Sequence, residues 1–82
     1  MQYVYILQSQ KDKSYYIGSS SNLKNRLLAH NQHTVKSTKA KTPYKLIWYC
    51  AFINKETALN FEKYLKTGSG IAFCRKRFLN LK

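Results

Sequence analysis

The chain has 82 residues, too few for two separately cored units, so we expect one domain over residues 1–82. It carries 15 Lys plus Arg against 3 Asp plus Glu, and its net charge of +12 predicts a polyanionic partner: nucleic acid, an anionic membrane surface or an acidic protein. A hydrophobic share of 44% and an aromatic share of 15% exclude a disordered basic tail. No apolar stretch approaches the roughly 20 residues that span a bilayer, so we expect a soluble, cytoplasmic protein with no membrane partner.

The first two predicted elements are strands. Residues 2–7 (QYVYIL) and 15–18 (YYIG) are rich in β-branched and aromatic residues on both alternating faces, which is typical of strands covered on both sides. The short polar connection predicts an antiparallel hairpin. A turn centred between Gln10 and Lys11 would place Tyr5 opposite Tyr16, with both phenols on one face. A slip of one residue would put the two rings on opposite faces.

A helix is predicted next. The run of Ser and Asn at 19–22 supplies capping residues, and the leucines that follow predict a helix from about Asn22, its cap, to about His30. Arg26 and His30 are four residues apart and therefore lie on one side of this helix, beside its apolar stripe. Residues 31–43 are polar and lysine-rich without a period, which indicates an exposed basic loop.

The second half of the chain predicts a strand and two helices. Residues 44–53 (YKLIWYCAFI) form the longest apolar run, too apolar for a strand with a solvated face. Asn54 should cap a helix whose apolar stripe ends near residue 67, and glycines at 68–70 should mark a break before a last helix. The order β-β-α-β-α-α predicts an α+β fold with a three-stranded, mostly antiparallel sheet flanked by helices.

Metal-assisted hydrolysis needs at least one hard oxygen ligand, and this sequence offers only three carboxylates. Asp12 falls in the predicted hairpin turn, where Asp commonly stabilises local backbone, and Glu56 falls in the first turn of a helix. Glu62 lies mid-helix beside the apolar stripe. It either faces the sheet or forms an i,i+4 pair with Lys66, and the spacing leaves both open.

Two short segments carry a family resemblance. Tyr3-Val4-Tyr5 and Tyr16-Ile17-Gly18, separated by ten residues, resemble the two half-motifs of the GIY-YIG nuclease superfamily. The second half-motif is intact, whereas in the first Tyr3 replaces the family's glycine. The resemblance extends to Arg26, to His30 one helical turn later, and to Glu62, so it covers nearly the whole chain. It implies the GIY-YIG fold.

The resemblance also implies an activity, the hydrolysis of a nucleic-acid phosphodiester with one divalent ion, Mg²⁺ or Mn²⁺. By position, Tyr5 would be the general base or proton relay, and Tyr16 would orient the attacking water and the scissile phosphate. Arg26 would bind the phosphate and His30 would assist proton transfer. Glu62 would hold the metal ion. Because a free tyrosine has a pKa near 10, this role of Tyr5 requires a nearby cation or proton acceptor.

Basic side chains are spread along the sequence and can contact phosphates without reading bases, which predicts structure selectivity rather than sequence selectivity. The candidates are Lys24, Lys36, Lys39, Lys41, Lys63, Lys66, Arg75, Lys76 and Arg77. The expected substrate is DNA, with RNA left open, and a partner protein could supply the choice of target. The oligomeric state stays open.

Two other interpretations remain. A nucleic-acid-binding module on the same fold that no longer cleaves would also explain the charge. An adaptor for an acidic protein or an anionic lipid would explain the charge but not the tyrosine, arginine and glutamate pattern.

The resemblance also points to one residue near the C-terminus. Asn80 is a candidate for the C-terminal asparagine that some relatives use.

Overall fold

The computed structural model describes residues 1–32 and 39–74. Within these ranges the elements are β1 (Gln2–Ser9), β2 (Tyr15–Ser20), α1 (Leu23–Asn31), a 3-10 turn (Lys39–Lys41), β3 (Tyr44–Phe52), α2 (Lys55–Leu65) and α3 (Gly68–Cys74). The predicted α+β order is confirmed. Among the predicted binding residues, Lys36, Arg75, Lys76 and Arg77 lie outside the described ranges, as does Asn80.

The three strands form an antiparallel sheet in the order β2-β1-β3. In the central strand β1, Val4, Tyr5, Ile6 and Leu7 are all buried, because β1 has a strand on each edge and helices over both faces. The prediction of a strand covered on both sides is therefore confirmed for β1.

Strand β3 differs from its prediction. It lies at an edge of the sheet, and it ends at Phe52, one residue earlier than expected. Lys45, Tyr49 and Ala51 are exposed along it. The expectation that this strand has no solvated face was wrong, because the helices cover only part of an edge strand.

The hairpin register is shifted by two residues from its prediction. Tyr5 pairs with Gly18 and Leu7 with Tyr16, so the expected direct pairing of the two phenols was wrong. The connecting loop is closed instead by the Ser9 amide donating to the Ser14 carbonyl at 2.8 Å. Because side chains alternate with period two, a shift of two residues keeps both phenols on one face, as expected.

The helix caps are placed as expected, but the predicted glycine break is not. The side chains of Asn22 and Asn54 accept amide hydrogen bonds at the starts of α1 and α2. Helix α3, however, begins at Gly68, after a turn in which the Thr67 Oγ1 atom accepts the Gly70 amide at 3.0 Å. Any side chain at the buried Gly70 would overlap the backbone carbonyl of Tyr64, so this glycine allows close packing of α3 on α2.

Two apolar clusters form on opposite faces of the sheet. On one face, which we name the α2 face, Val4 and Ile6 of β1 pack with residues of α2 that include Ala58 and Leu65. On the opposite face, the α1 face, Tyr5 and Leu7 pack with residues of α1 that include Leu23 and Leu27. Alternation along β1 thus sends Val4 and Ile6 to the α2 face, and Tyr5 and Leu7 to the α1 face. None of the helices in the described ranges is long and apolar enough to cross a membrane.

Candidate active site

Tyr5 lies at the centre of the α1 face. Its side chain is 1% exposed, and Gly18 stands opposite it on β2. A Cβ atom at Gly18 would come within 2.6 Å of the Tyr5 hydroxyl oxygen and 2.8 Å of its ring. The glycine of the second half-motif is therefore what allows the Tyr5 ring to lie across β2.

His30 is the hydrogen-bond partner of this phenol. Its Nε2 atom lies 3.1 Å from the Tyr5 hydroxyl, and its ring is fully buried. The His30 ring packs edge-on against Tyr16, with ring centroids 4.8 Å apart. Sequence spacing placed His30 beside the apolar stripe of α1, and the structure places it inside the core.

Burial also controls the protonation of this pair. Burial, followed by the nearby charge of Arg26, lowers the pKa of His30 below its usual value, so the imidazole is neutral at pH 7. Burial raises the pKa of Tyr5, although the hydrogen-bonding interaction with Arg26 opposes that rise. At neutral pH the pair is therefore a protonated phenol beside an uncharged imidazole, and the Nε2 atom of His30 accepts from the phenol when its Nδ1 atom carries the ring proton.

Arg26 brings a positive charge to the same hydroxyl group. It is half-buried on α1, and its hydrogen-bonding interaction with Tyr5 raises its already high pKa, so it stays charged. The N-cap of the helix sets its position, because the Arg26 amide donates to the Asn22 carbonyl at 3.0 Å. The structure thus brings Tyr5, Tyr16 and His30 together with Arg26 on the α1 face.

Glu62 belongs to α2, on the other side of the sheet. Its carboxylate accepts a hydrogen bond from Lys66 Nζ at 2.7 Å, so the i,i+4 pair is present. Ser19 of the edge strand β2 is a second hydrogen-bonding partner, and the Glu62 charge acts on Tyr5. The side chain is 16% exposed, and burial alone would raise its pKa, but the Lys66 and Ser19 interactions together lower it. Glu62 is therefore a charged carboxylate at the β2 edge. It both faces the sheet and pairs with Lys66, the two arrangements that its spacing left open.

The other two carboxylates have local roles, as the sequence predicts. Asp12 accepts from the Ser14 amide at 2.9 Å and from its hydroxyl at 2.7 Å inside the hairpin loop, and these bonds lower the pKa of Asp12 to about 2. It also lies 3.6 Å from Lys41 Nζ. Glu56 is exposed in the first turn of α2.

Two residues that the sequence analysis passed over help to hold the site. The Asn31 side chain donates to the Tyr44 carbonyl at 3.0 Å and accepts from the Tyr44 amide at 2.7 Å, which fixes the end of α1 to the start of β3. The buried Tyr44 ring lies 6.1 Å from the His30 ring. An Asn directly after His30 is visible in the sequence, but its partner across the loop is not.

The predicted phosphate-binding lysines are dispersed over the described surface. Lys24 is exposed on α1, Lys39 and Lys41 are the exposed first and last residues of the 3-10 turn, and Lys63 is exposed on α2. Lys66 is half-exposed and paired with Glu62. The described members thus lie on or next to three different elements, α1, the 3-10 turn and α2.

The β-β-α-β-α-α order, with Tyr5 and Tyr16 of the first hairpin beside Arg26, is consistent with the fold of one family of domains. The chain belongs to the GIY-YIG family, because the model of the GIY-YIG catalytic domain matches residues 1–71. This family is a nuclease family, and its two half-motifs are the Tyr3 to Tyr5 and Tyr16 to Gly18 segments described above.

Curated relatives agree with this assignment. The chain is 43% identical over 67 residues to a UPF0213 protein of Clostridium perfringens, a match that covers 80% of the chain and 71% of the relative. It is 42% identical over 65 residues to a UPF0213 protein of Streptococcus pneumoniae, covering 78% of the chain and 65% of the relative. A UPF0213 protein of Streptococcus pyogenes is 37% identical over 65 residues, with 78% and 70% covered. The chain therefore spans about two thirds of the length of these relatives.

Proposed function

We propose that this protein is a metal-dependent endonuclease that hydrolyses DNA phosphodiester bonds and selects DNA by structure rather than by sequence. Membership of a nuclease family supports the reaction class. The observation that carries the proposal is the buried hydrogen bond of 3.1 Å between Tyr5 and His30, with Arg26 interacting with the same hydroxyl. One phenol thus has both a proton acceptor and a positive charge beside it.

The proposed reaction uses these groups in order. The attacking water loses a proton to Tyr5 as Tyr5 passes its own proton to the unprotonated ring nitrogen of His30, 3.1 Å away. The water oxygen bonds to phosphorus, the bond to the leaving sugar oxygen breaks, and solvent protonates that oxygen. Tyr16 orients the water and the phosphate. Arg26 stabilises the negative charge that grows on the phosphate oxygens.

The donor set at Glu62 fits one divalent ion. The described residues bring no three His, Cys, Asp or Glu side chains together, and Glu62 is proposed as the metal ligand because its charge acts on Tyr5. A single carboxylate suits Mg²⁺ or Mn²⁺, because Mg²⁺ is commonly held by one or two carboxylates, water and substrate phosphates. The ion would compete with Lys66 for Glu62. When bound, it would supply positive charge to the scissile phosphate.

The proposed substrate follows from the charge distribution. A net charge of +12 with dispersed lysines favours backbone contacts, which carry no sequence information and weaken as salt increases. We therefore expect Lys24, Lys39, Lys41 and Lys63 to contribute to affinity for any DNA. The same cleavage assays can include RNA as a substrate. They can also test whether a partner protein supplies the choice of target.

The test is cleavage of a panel of supercoiled plasmid, single strand, flap and branched DNA, with Mg²⁺ or Mn²⁺ and with chelator. Tyr5→Phe removes the proton path and should reduce the rate by about 10²- to 10⁴-fold. Glu62→Ala should abolish metal-dependent cleavage. Glu56→Ala is the matched control, since it removes an exposed carboxylate from the same helix and should leave the rate unchanged.

Two results would contradict the proposal. Cleavage that persists equally in Tyr5→Phe and Glu62→Ala would place the activity elsewhere. Binding without cleavage, equal in wild type and all variants, would instead support a nucleic-acid-binding module on a nuclease fold. Thermal melting of each variant separates a loss of activity from a loss of folding.

A further inference from the structure

The α1 face of the sheet is only partly covered. Helix α1 lies over Tyr5 and Tyr16, and next to this covered part, towards β3, an open groove of about 530 Å³ remains. Its main lining residues are Tyr3, Leu23, Lys24, Leu27, Leu46 and Tyr49. None of the residues with a role in the proposed reaction lines this groove.

The groove is aromatic, apolar and free of negative charge. The rings of Tyr3 and Tyr49 lie 6.2 Å apart, tilted by 60°, and Tyr49 is 54% exposed, which is high for a tyrosine in the middle of a strand. None of the chain's three carboxylates lines it, whereas Lys24 does. Flat rings beside a cation match the chemistry of an unstacked nucleobase and its phosphate, because bases stack on aromatic side chains in a sequence-tolerant way.

The groove adjoins the backbone of Tyr5, on the β3 side of β1 and therefore on the side opposite the Tyr5 hydroxyl. Tyr49 is the cross-strand partner of Tyr5 on β3, and Tyr3 precedes Tyr5 by two residues on the same face of β1. Directly opposite residues have Cβ atoms about 5 Å apart. The Tyr5 hydroxyl lies over Gly18 of β2, so a nucleic-acid strand that runs from Tyr5 and Arg26 across the sheet towards β3 would bring a nearby base to Tyr49.

We propose that this groove binds an unpaired nucleobase of a single-stranded segment, with the exposed Tyr49 ring stacking on the base, Tyr3 packing against Tyr49, and Lys24 contacting an adjacent phosphate. The proposal rests on the proposed function for the identity of the ligand as nucleic acid. The expected ligand is a single strand and not a duplex, because the bases of a duplex are stacked on each other and cannot enter the groove. A second copy of the chain fits less well, since two chains of net charge +12 repel each other.

The experiment measures binding of a labelled oligothymidine and of a matched duplex by fluorescence anisotropy, in chelator, so that no cleavage occurs. Tyr49→Ala should weaken single-strand binding by about 5- to 150-fold, the usual effect of removing one stacking side chain. Duplex binding should change by less than about twofold. Tyr49→Phe keeps the ring and should retain single-strand binding.

Tyr64→Ala is the matched control. Tyr64 is 43% exposed on α2, so the substitution removes a tyrosine of similar exposure from the opposite side of the sheet. It should leave both affinities unchanged. Melting temperatures of both alanine variants show whether either loss reflects folding.

The outcomes separate this inference from the proposed function. If the wild type cleaves nothing but Tyr49→Ala still loses single-strand binding selectively, the endonuclease proposal fails and the groove assignment stands. If wild-type protein does not bind the single strand, or if Tyr49→Ala weakens single strand and duplex equally or not at all, the groove assignment is overturned. It is also overturned if sedimentation shows a wild-type dimer that Tyr49→Ala dissociates, because the groove is then an interface between copies.

Discussion

The two faces of the sheet use the same central strand for different purposes. On the α2 face, Val4 and Ile6 of β1 pack into an aliphatic and aromatic cluster whose buried members include Ala58 and Leu65. On the α1 face, Tyr5 packs with aromatic rings and forms a buried hydrogen bond to His30. The comparison indicates that the α2 face supplies much of the stability, which allows the α1 face to bury polar groups whose desolvation is unfavourable.

The largest effect that would test this comparison is removal of a core side chain on the α2 face. Leu65→Ala should lower the free energy of unfolding by about 2–5 kcal/mol, because Leu65 is fully buried and its deletion leaves a cavity. Urea denaturation measures this loss. Leu59→Ala on the same helix is the control, since Leu59 is 37% exposed and should cost much less.

Under conditions where Leu65→Ala is still folded, its cleavage rate should stay close to that of the wild type. A large fall in rate for the folded variant would mean that the two faces do not act independently.

A smaller effect on stability and a specific effect on activity are expected from Gly18→Ala. The new Cβ would lie 2.6 Å from the Tyr5 hydroxyl, so the Tyr5 ring must shift from the position in which it bonds to His30. A displacement of about 1 Å at a reacting group can reduce a rate by about 10²-fold, and overpacking costs about 1–3 kcal/mol. Cleavage assays measure the change in rate, and urea denaturation of the same preparation measures the change in stability.

Gly68→Ala is the matched control, because no atom lies within 4 Å of a Cβ at Gly68. Gly68→Ala should change neither the cleavage rate nor the free energy of unfolding appreciably. Equal cleavage by Gly18→Ala and Gly68→Ala would mean that the position of the Tyr5 ring does not matter for the reaction.

The smallest expected effect is a pH dependence confined to the α1 face. His30 has a lowered pKa, so the unfolded chain takes up a proton at His30 more readily than the folded protein does. The free energy of unfolding should therefore fall as the pH drops below about 6.5, the ordinary pKa of histidine. The lowered pKa values of Asp12 and Glu62 act in the same direction, but only at more acidic pH.

Urea denaturation at pH 7, 6 and 5 measures this dependence, and His30→Gln is the informative variant. It should show a flatter profile than the wild type over that range. An unchanged slope in His30→Gln would show that protonation of His30 does not oppose folding, and the buried neutral imidazole would be the wrong description.

Much of this architecture was predictable from local sequence. The apolar runs predicted all three strands, and Asn22 and Asn54 predicted the starts of α1 and α2, because caps and side-chain alternation depend on neighbours in the chain. The family resemblance and the GIY-YIG assignment also follow from residues visible in the sequence. The face shared by Tyr5 and Tyr16 was correctly predicted even though their pairing was not, since a shift of two residues preserves the face.

The rest depended on contacts between distant parts of the chain. Spacing placed His30 on one side of α1, but only the docking of α1 on the sheet buries it and sets it 3.1 Å from Tyr5. Three other features also depend on tertiary contacts: the hydrogen bonds between Asn31 and Tyr44, the interaction of Glu62 with Ser19, and the groove beside Tyr49. The sequence by itself determined the elements and the reactive side chains, because these follow from short-range periodicity. Tertiary structure decided which of them meet, because hydrogen bonding and burial depend on distances that no local pattern contains.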